Sequence, residues 1–175
     1  MLAILLQTIT TLQYIHQMNV IHNDIKPENI LLLGEKVFIS GFDYAMANGQ
    51  KNEGHTLRYA SSKFFSLIPA AKRNRMDDLE SLVYSMWHIS GIPLGKWNLW
   101  YGFGIPEGLL LSLCYKQEEK IERVMEKLKH YKKPLVFNVM KYICVDEMLS
   151  GRPAPNYDQI IAKLSQAIAD YKYYE

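Results

Sequence analysis

The 175-residue sequence has little cysteine, no strong net charge and no long apolar run. Its two cysteines, Cys114 and Cys144, are far apart in apolar helical patterns. That excludes a disulfide-framed secreted module and suits buried thiols in a reducing compartment. A net charge of +2 and a pI near 8.4 give no ground for nucleic acid as a partner. No apolar stretch approaches the ~20 residues that cross a bilayer. Met1–Leu6 is apolar but lacks a basic flank, and Gln7 with the threonines after it breaks the run, so it does not read as a signal peptide. The expectation is a soluble intracellular protein that binds neither membrane nor nucleic acid. Internal repeats, low-complexity tracts and the glycine-rich phosphate cradle G-x-G-x-x-G are also missing. What is present is an ordinary globular balance, 49% apolar and 22% charged, with enough chain for one domain with a real core.

The informative stretch is His22-Asn23-Asp24-Ile25-Lys26-Pro27-Glu28-Asn29. It comes after an apolar helical pattern, in which Leu2, Leu5, Leu6, Ile9, Leu12 and Ile15 predict an amphipathic helix over 2–18. It precedes two short apolar runs, Ile30–Leu33 and Val37–Ser40, split by Gly34-Glu35-Lys36 as in a β-hairpin. A carboxylate, a lysine two residues on and a carboxamide five residues on suit the substrate side of phosphoryl transfer. The carboxylate takes or orients a hydroxyl proton, the lysine neutralises phosphate charge and the carboxamide ligates magnesium.

The stretch resembles the catalytic loop of protein kinases, H-R-D-x-K-x-x-N, with Asn23 where arginine usually stands. Two further segments are similar to the casein kinase 1 group: Thr56-Leu57-Arg58-Tyr59-Ala60-Ser61, and Arg75-Met76-Asp77-Asp78-Leu79-Glu80-Ser81-Leu82. The related vaccinia-related kinases match these two less well. The resemblance implies a mainly α fold, the C-terminal lobe of a protein kinase: a helical bundle with a small β-hairpin. Residues 1–175 would form one such domain, with the small lobe absent. It implies Asp24, Lys26, Asn29 and Thr56 as the catalytic set, with the Thr56 hydroxyl bridging Asp24 and Lys26. Arg58 is either an anion-binding residue beside the substrate groove or a solvated surface arginine. His22 and Asp78 are implied as structural. Asp78 would be buried and accept hydrogen bonds from the catalytic-loop backbone, and as a helix N-terminal acid it also suits the dipole.

The resemblance breaks at one triplet. The hairpin should lead into Asp-Phe-Gly, whose aspartate chelates magnesium, and leads instead into Gly41-Phe42-Asp43. In extended backbone Asp43 points the same way as residue 41 but about 6.6 Å further along. Magnesium requires oxygens at about 2.0–2.1 Å in near-octahedral geometry. Asp43, with Asn29, could hold metal only if the backbone slipped by two residues.

Further along, Leu79, Leu82, Val83, Met86 and Ile89 predict a central buried helix ending at Gly91. Trp97, Trp100, Tyr101 and Phe103, set among glycines, read as packed loop aromatics ahead of a ligand or carbohydrate surface. Residues 118–133 read as a helix whose Lys127, Lys129, Lys132 and Lys133 form a solvated face or bind an anionic partner. Val136, Val139, Met140 and Ile143 give another helix, and Gly151–Pro155 a stiff link. Asn156 caps a last helix with Ile160, Ile161, Leu164 and Ile168 inward and a tail fraying from Tyr171.

The expected function is therefore a catalytically inactive, casein kinase 1-like lobe that binds a protein partner or itself through the surface a small lobe would cover, with no cofactor. The alternative is a serine/threonine kinase using ATP and magnesium, its small lobe missing or supplied elsewhere.

Overall fold

A computed structural model describes residues 1–50, 59–61, 72–89 and 134–173. Thr56, Arg58, Cys114, the loop aromatics at 97–103 and the predicted helix at 118–133 with its lysines lie outside the described residues.

The first apolar stripe folds as α1, Leu2–Gln17. Leu5, Ile9 and Leu12 are buried at its centre, and two polar residues, Thr8 and His16, are buried with them. Thr8 is satisfied locally, its hydroxyl donating to the Ile4 carbonyl at 2.7 Å. Asn19 ends the helix in the left-handed region, φ +61°, where its short polar side chain is tolerated. Its N–H bonds to the His16 carbonyl at 3.1 Å.

After α1 the chain forms a nested pair of two-stranded sheets. β1 (Val20–Ile21) pairs antiparallel with β4 (Met46–Ala47), and inside that closure β2 (Ile30–Leu33) pairs with β3 (Lys36–Ile39). The predicted hairpin is thus present, with a two-residue turn at Gly34-Glu35. Gly34 has φ +60° and Glu35 does not share it, the pattern of a type II′ turn. Gln7 of α1 clamps the hairpin: its amide donates to the Glu35 carbonyl at 2.8 Å and accepts the Val37 N–H at 3.0 Å. The β1–β4 pairing has no periodicity signal, since each strand is only two residues.

α2, Arg75–Ile89, is the core helix. Every residue from Met76 to Trp87 is buried, so the helix is packed on all sides. Its start is a capping box: the Asn74 side chain accepts the Met76 N–H at 3.0 Å, and Asp77 accepts the Asn74 N–H at 2.7 Å. Ile89 of the predicted stripe is exposed because it is the last residue of the helix.

α3, Pro134–Lys141, widens into a π-helical turn at Tyr142–Glu147 rather than running on as α-helix through Ile143. The wider spacing brings Tyr142 onto Glu147, five residues on, and its hydroxyl donates to that carboxylate. Buried Glu147 also accepts the Asn156 N–H and pairs with Arg152, both at 2.8 Å, so it ties the glycine–proline link to the last helix. α4, Tyr157–Tyr173, buries Ile160, Leu164 and Ala167. The tail expected to fray from Tyr171 is still helical to Tyr173, because no glycine or proline interrupts it. α4 packs on α1 and α3. No helix among the described residues is long and apolar enough to cross a membrane.

Candidate functional site

Two pairings put the 22–29 loop beside residues 40–43. The β2–β3 register sets Ile30 opposite Ile39, and the Ser40 N–H donates to the Asn29 carbonyl at 2.9 Å. Gly41 therefore faces Asn29. On the other side, the His22 ring nitrogen Nε2 lies 2.8 Å from the Ser40 carbonyl, while Nδ1 accepts the Asp24 N–H at 3.3 Å. A carbonyl can only accept, so this network assigns the proton to Nε2. The His22 ring also packs on Phe42, with centroids 4.6 Å apart.

The loop is held from beneath by Asp78, near the start of α2 and 1% exposed. One carboxylate oxygen accepts the His22 N–H at 2.7 Å and the other the Asn23 N–H at 2.8 Å. His16 of α1 approaches the first of these with Nε2 at 2.8 Å. The Nδ1 of His16 takes a short hydrogen bond from the Tyr157 hydroxyl. Burial, with the Asp78 charge nearby, pushes that hydroxyl well above its usual range, so it remains a donor. The chain Tyr157–His16–Asp78 joins α4, α1 and α2 to the loop. Asn23, at φ +63°, takes the left-handed turn that aims its N–H at Asp78.

Above this support, three side chains converge. The Lys26 ammonium lies 2.7 Å from Asp24 Oδ2. The Asn29 amide donates to the Asp24 carbonyl at 2.8 Å and to Oδ2 at 3.3 Å. Hydrogen bonding to Asp24 raises the Lys26 pKa, partly opposed by burial. Asp24 and Asn29 are buried and Lys26 is half-buried. The cluster can present a carboxylate and a cation at one edge.

Gly41 has φ +76°, and a Cβ built on it would fall 2.5 Å from both the Nδ2 and Oδ1 atoms of Asn29. The Asn29 carboxamide thus occupies the space a side chain at 41 would need. Asp43 lies in the 3₁₀ turn Phe42–Tyr44, exposed and without a hydrogen bond or ion pair to any described residue. The structure brings together Asp24, Lys26, Asn29, His22 and Asp78, and does not bring Asp43 to them.

Residues that sequence reasoning did not single out complete the support. His16 and Tyr157 are two. A third group is buried beside α2: the Ser61 hydroxyl donates to Asp77 at 2.6 Å and accepts from Arg73 at 3.0 Å. Burial lowers the Arg73 pKa against the pull of Asp77. A signal for His16 was available, since it interrupts an apolar helix face four residues after Leu12.

The model of the protein kinase domain family matches residues 1–68, the stretch that carries α1, the 22–29 loop and Gly41–Asp43. The chain contains a protein kinase-like segment there.

Proposed function

We propose that the chain is a catalytically inactive, casein kinase 1-like pseudokinase lobe that works by binding protein inside the cell, with 1–175 as one domain of C-lobe type. The observation that carries the reading is Gly41. A metal-nucleotide site of kinase type needs a carboxylate there beside the Asn29 carboxamide. Position 41 offers only a hydrogen, its side-chain space is filled by Asn29, and that amide is engaged with Asp24. Asp43 is exposed and makes no hydrogen bond or ion pair with the cluster. The residues present do not fit a magnesium ion held in that manner. Phosphoryl transfer rests on positioning and charge neutralisation, so a site without the metal forfeits most of its rate.

Binding is the remaining use of the retained shape. Leu31, Leu32, Leu33 and Phe38 of the hairpin are 47%, 59%, 74% and 47% exposed, an apolar surface of the kind that partners or second copies cover. Thr56 and Arg58 keep the substrate-groove roles the resemblance gives them. Sedimentation at micromolar concentration, alone and with an active casein kinase 1-type enzyme, should show self-association or a complex. A stable monomer that ignores the enzyme contradicts the reading.

A second reading is favoured by the intact Asp24–Lys26–Asn29 cluster. Here the chain is the substrate half of a serine/threonine kinase using ATP and magnesium. Asp24 is the base, Asn29 and a displaced Asp43 are the ligands, and the small-lobe elements come from outside these residues. Transfer of labelled terminal phosphate to casein, lost on Asp24→Ala, would establish it.

A further inference from the structure

A cavity of about 210 Å³ lies away from the Asp24 cluster, between α1, the head of α2 and the first turn of α4. Its wall includes Gln13, Gln17, Arg75, Asn156, Tyr157 and Asp158. Three observations converge there. Arg75 has neither a salt bridge nor a hydrogen bond to any described residue, and its Nε is fully buried without a partner. An arginine left this way is uncommon, because its five donors normally find acceptors. The N–H groups of Tyr157 and Asp158, which open α4, have no acceptor among the described residues either. Asn156 caps only the next one, at Gln159. Finally, the Gln17 carboxamide at the rim has no hydrogen-bond partner among the described residues. At the start of α2 the Met76 and Asp77 N–H groups are taken by Asn74, so Arg75 contributes its side chain.

Donors gather around one cavity, and of the described acids close by Asp158 keeps one oxygen unengaged by any described residue. Asp158 takes the Gln13 amide at 3.1 Å, and both oxygens of Asp78, behind His16, are occupied. We propose that this cavity is an oxyanion-binding site that takes the carboxylate or phosphoryl group of a ligand on the Arg75 guanidinium. The helix start and Gln17 complete its shell. The site requires a turn of the guanidinium that brings the buried Nε edge into the cavity, where Nε and Nη would form the fork that matches two oxygens of such a group. The ligand would sit against His16, and through it next to the Asp78 support of the 22–29 loop. This inference is independent of whether the Asp24 cluster is active.

The test is a ¹⁵N NMR titration of the full chain with inorganic phosphate and, separately, acetate, at constant ionic strength against chloride. Saturable shifts of the Arg75 Nε–H and the Tyr157 and Asp158 amides are expected. Phosphate alone shifting them assigns a phosphoryl source; acetate also shifting them admits carboxylates. Arg75→Gln should weaken binding by about tenfold or more. Asp158→Asn, which removes the acid lining the wall outside the Asp78 cluster, should tighten it several-fold. Absence of saturable shifts with either anion, or affinity unchanged in R75Q, overturns the site. Should R75Q not fold, an Asp158→Asn protein with unchanged or weaker affinity does the same.

Discussion

The underside of the 22–29 loop and its outer face are built to different standards. Beneath, Asp78 is almost fully buried and its two oxygens meet three donors on two segments, the loop and α1. On the outer face, Gly41 leaves its side-chain space to Asn29, Asp43 is exposed, and the hairpin presents leucines to solvent. The difference teaches that loop geometry and outer-face chemistry are separable. The backbone of His22 and Asn23 is set by an acid from α2, while position 41 touches the loop at the Asn29 carboxamide. A kinase-like loop conformation is consequently weak evidence for catalysis, because function lives in the site.

The comparison breaks most visibly at Asp78. Replacing Asp78 by alanine leaves two buried N–H groups and His16 without an acceptor, and should cost about 3–5 kcal/mol. Urea denaturation followed by far-ultraviolet circular dichroism would measure it; a loss under about 1 kcal/mol would remove Asp78 from its supporting role. Gly41→Asp acts on the other face. It places a Cβ at positive φ against Asn29, and should cost about 1–3 kcal/mol by the same measurement. On the proposed reading, the double change Gly41→Asp with Asp43→Gly should gain a magnesium-dependent rise in melting temperature with ATP, and the unchanged sequence should show none.

A smaller effect belongs to Tyr157. Tyr157→Phe removes the donor to His16 and should cost about 1 kcal/mol at neutral pH. It should also flatten the alkaline limb. The Tyr157 and Tyr84 hydroxyls are held well above the usual 10, and Tyr142 is raised to about 12 by burial and Glu147. Unfolded tyrosine ionises first as pH climbs past 10, so the unfolded state then binds fewer protons and stability falls. Lys26, raised by Asp24, adds to the same limb: its contribution is complete below the ordinary 10.5 and is lost above it. Thermal melts from pH 8 to 11 would show the decline, shallower in the variant. Asp43→Ala should change stability by less than about 0.5 kcal/mol, as befits an exposed residue without contacts to the described residues.

Much of the fold could be read from the residues in order. α1, α2 and α4 are legible because Leu5–Leu12, Leu79–Met86 and Ile160–Leu164 carry the helical period, and the hairpin because two short apolar runs flank the Gly34 turn. The glycine at 41 was legible because the triplet has a fixed place after the hairpin. What escaped was long-range polar pairing. His16 meets Tyr157 across 141 positions and Asp78 across 62, and no local pattern encodes such partners. The two-residue β1–β4 pairing is too short for periodicity, and the π-turn at Tyr142–Glu147 arises from one buried carboxylate gathering distant donors rather than from propensity. The closeness of Asn29 to Gly41 came from register, which sets 30 against 39 but can be read only once the strands are paired.

The most direct test is the melting temperature of the full chain in ATP, with and without magnesium. Gly41 in place of a carboxylate leads to no magnesium-dependent increment, at any nucleotide concentration. A rise that requires magnesium and disappears in Asn29→Ala would contradict the account.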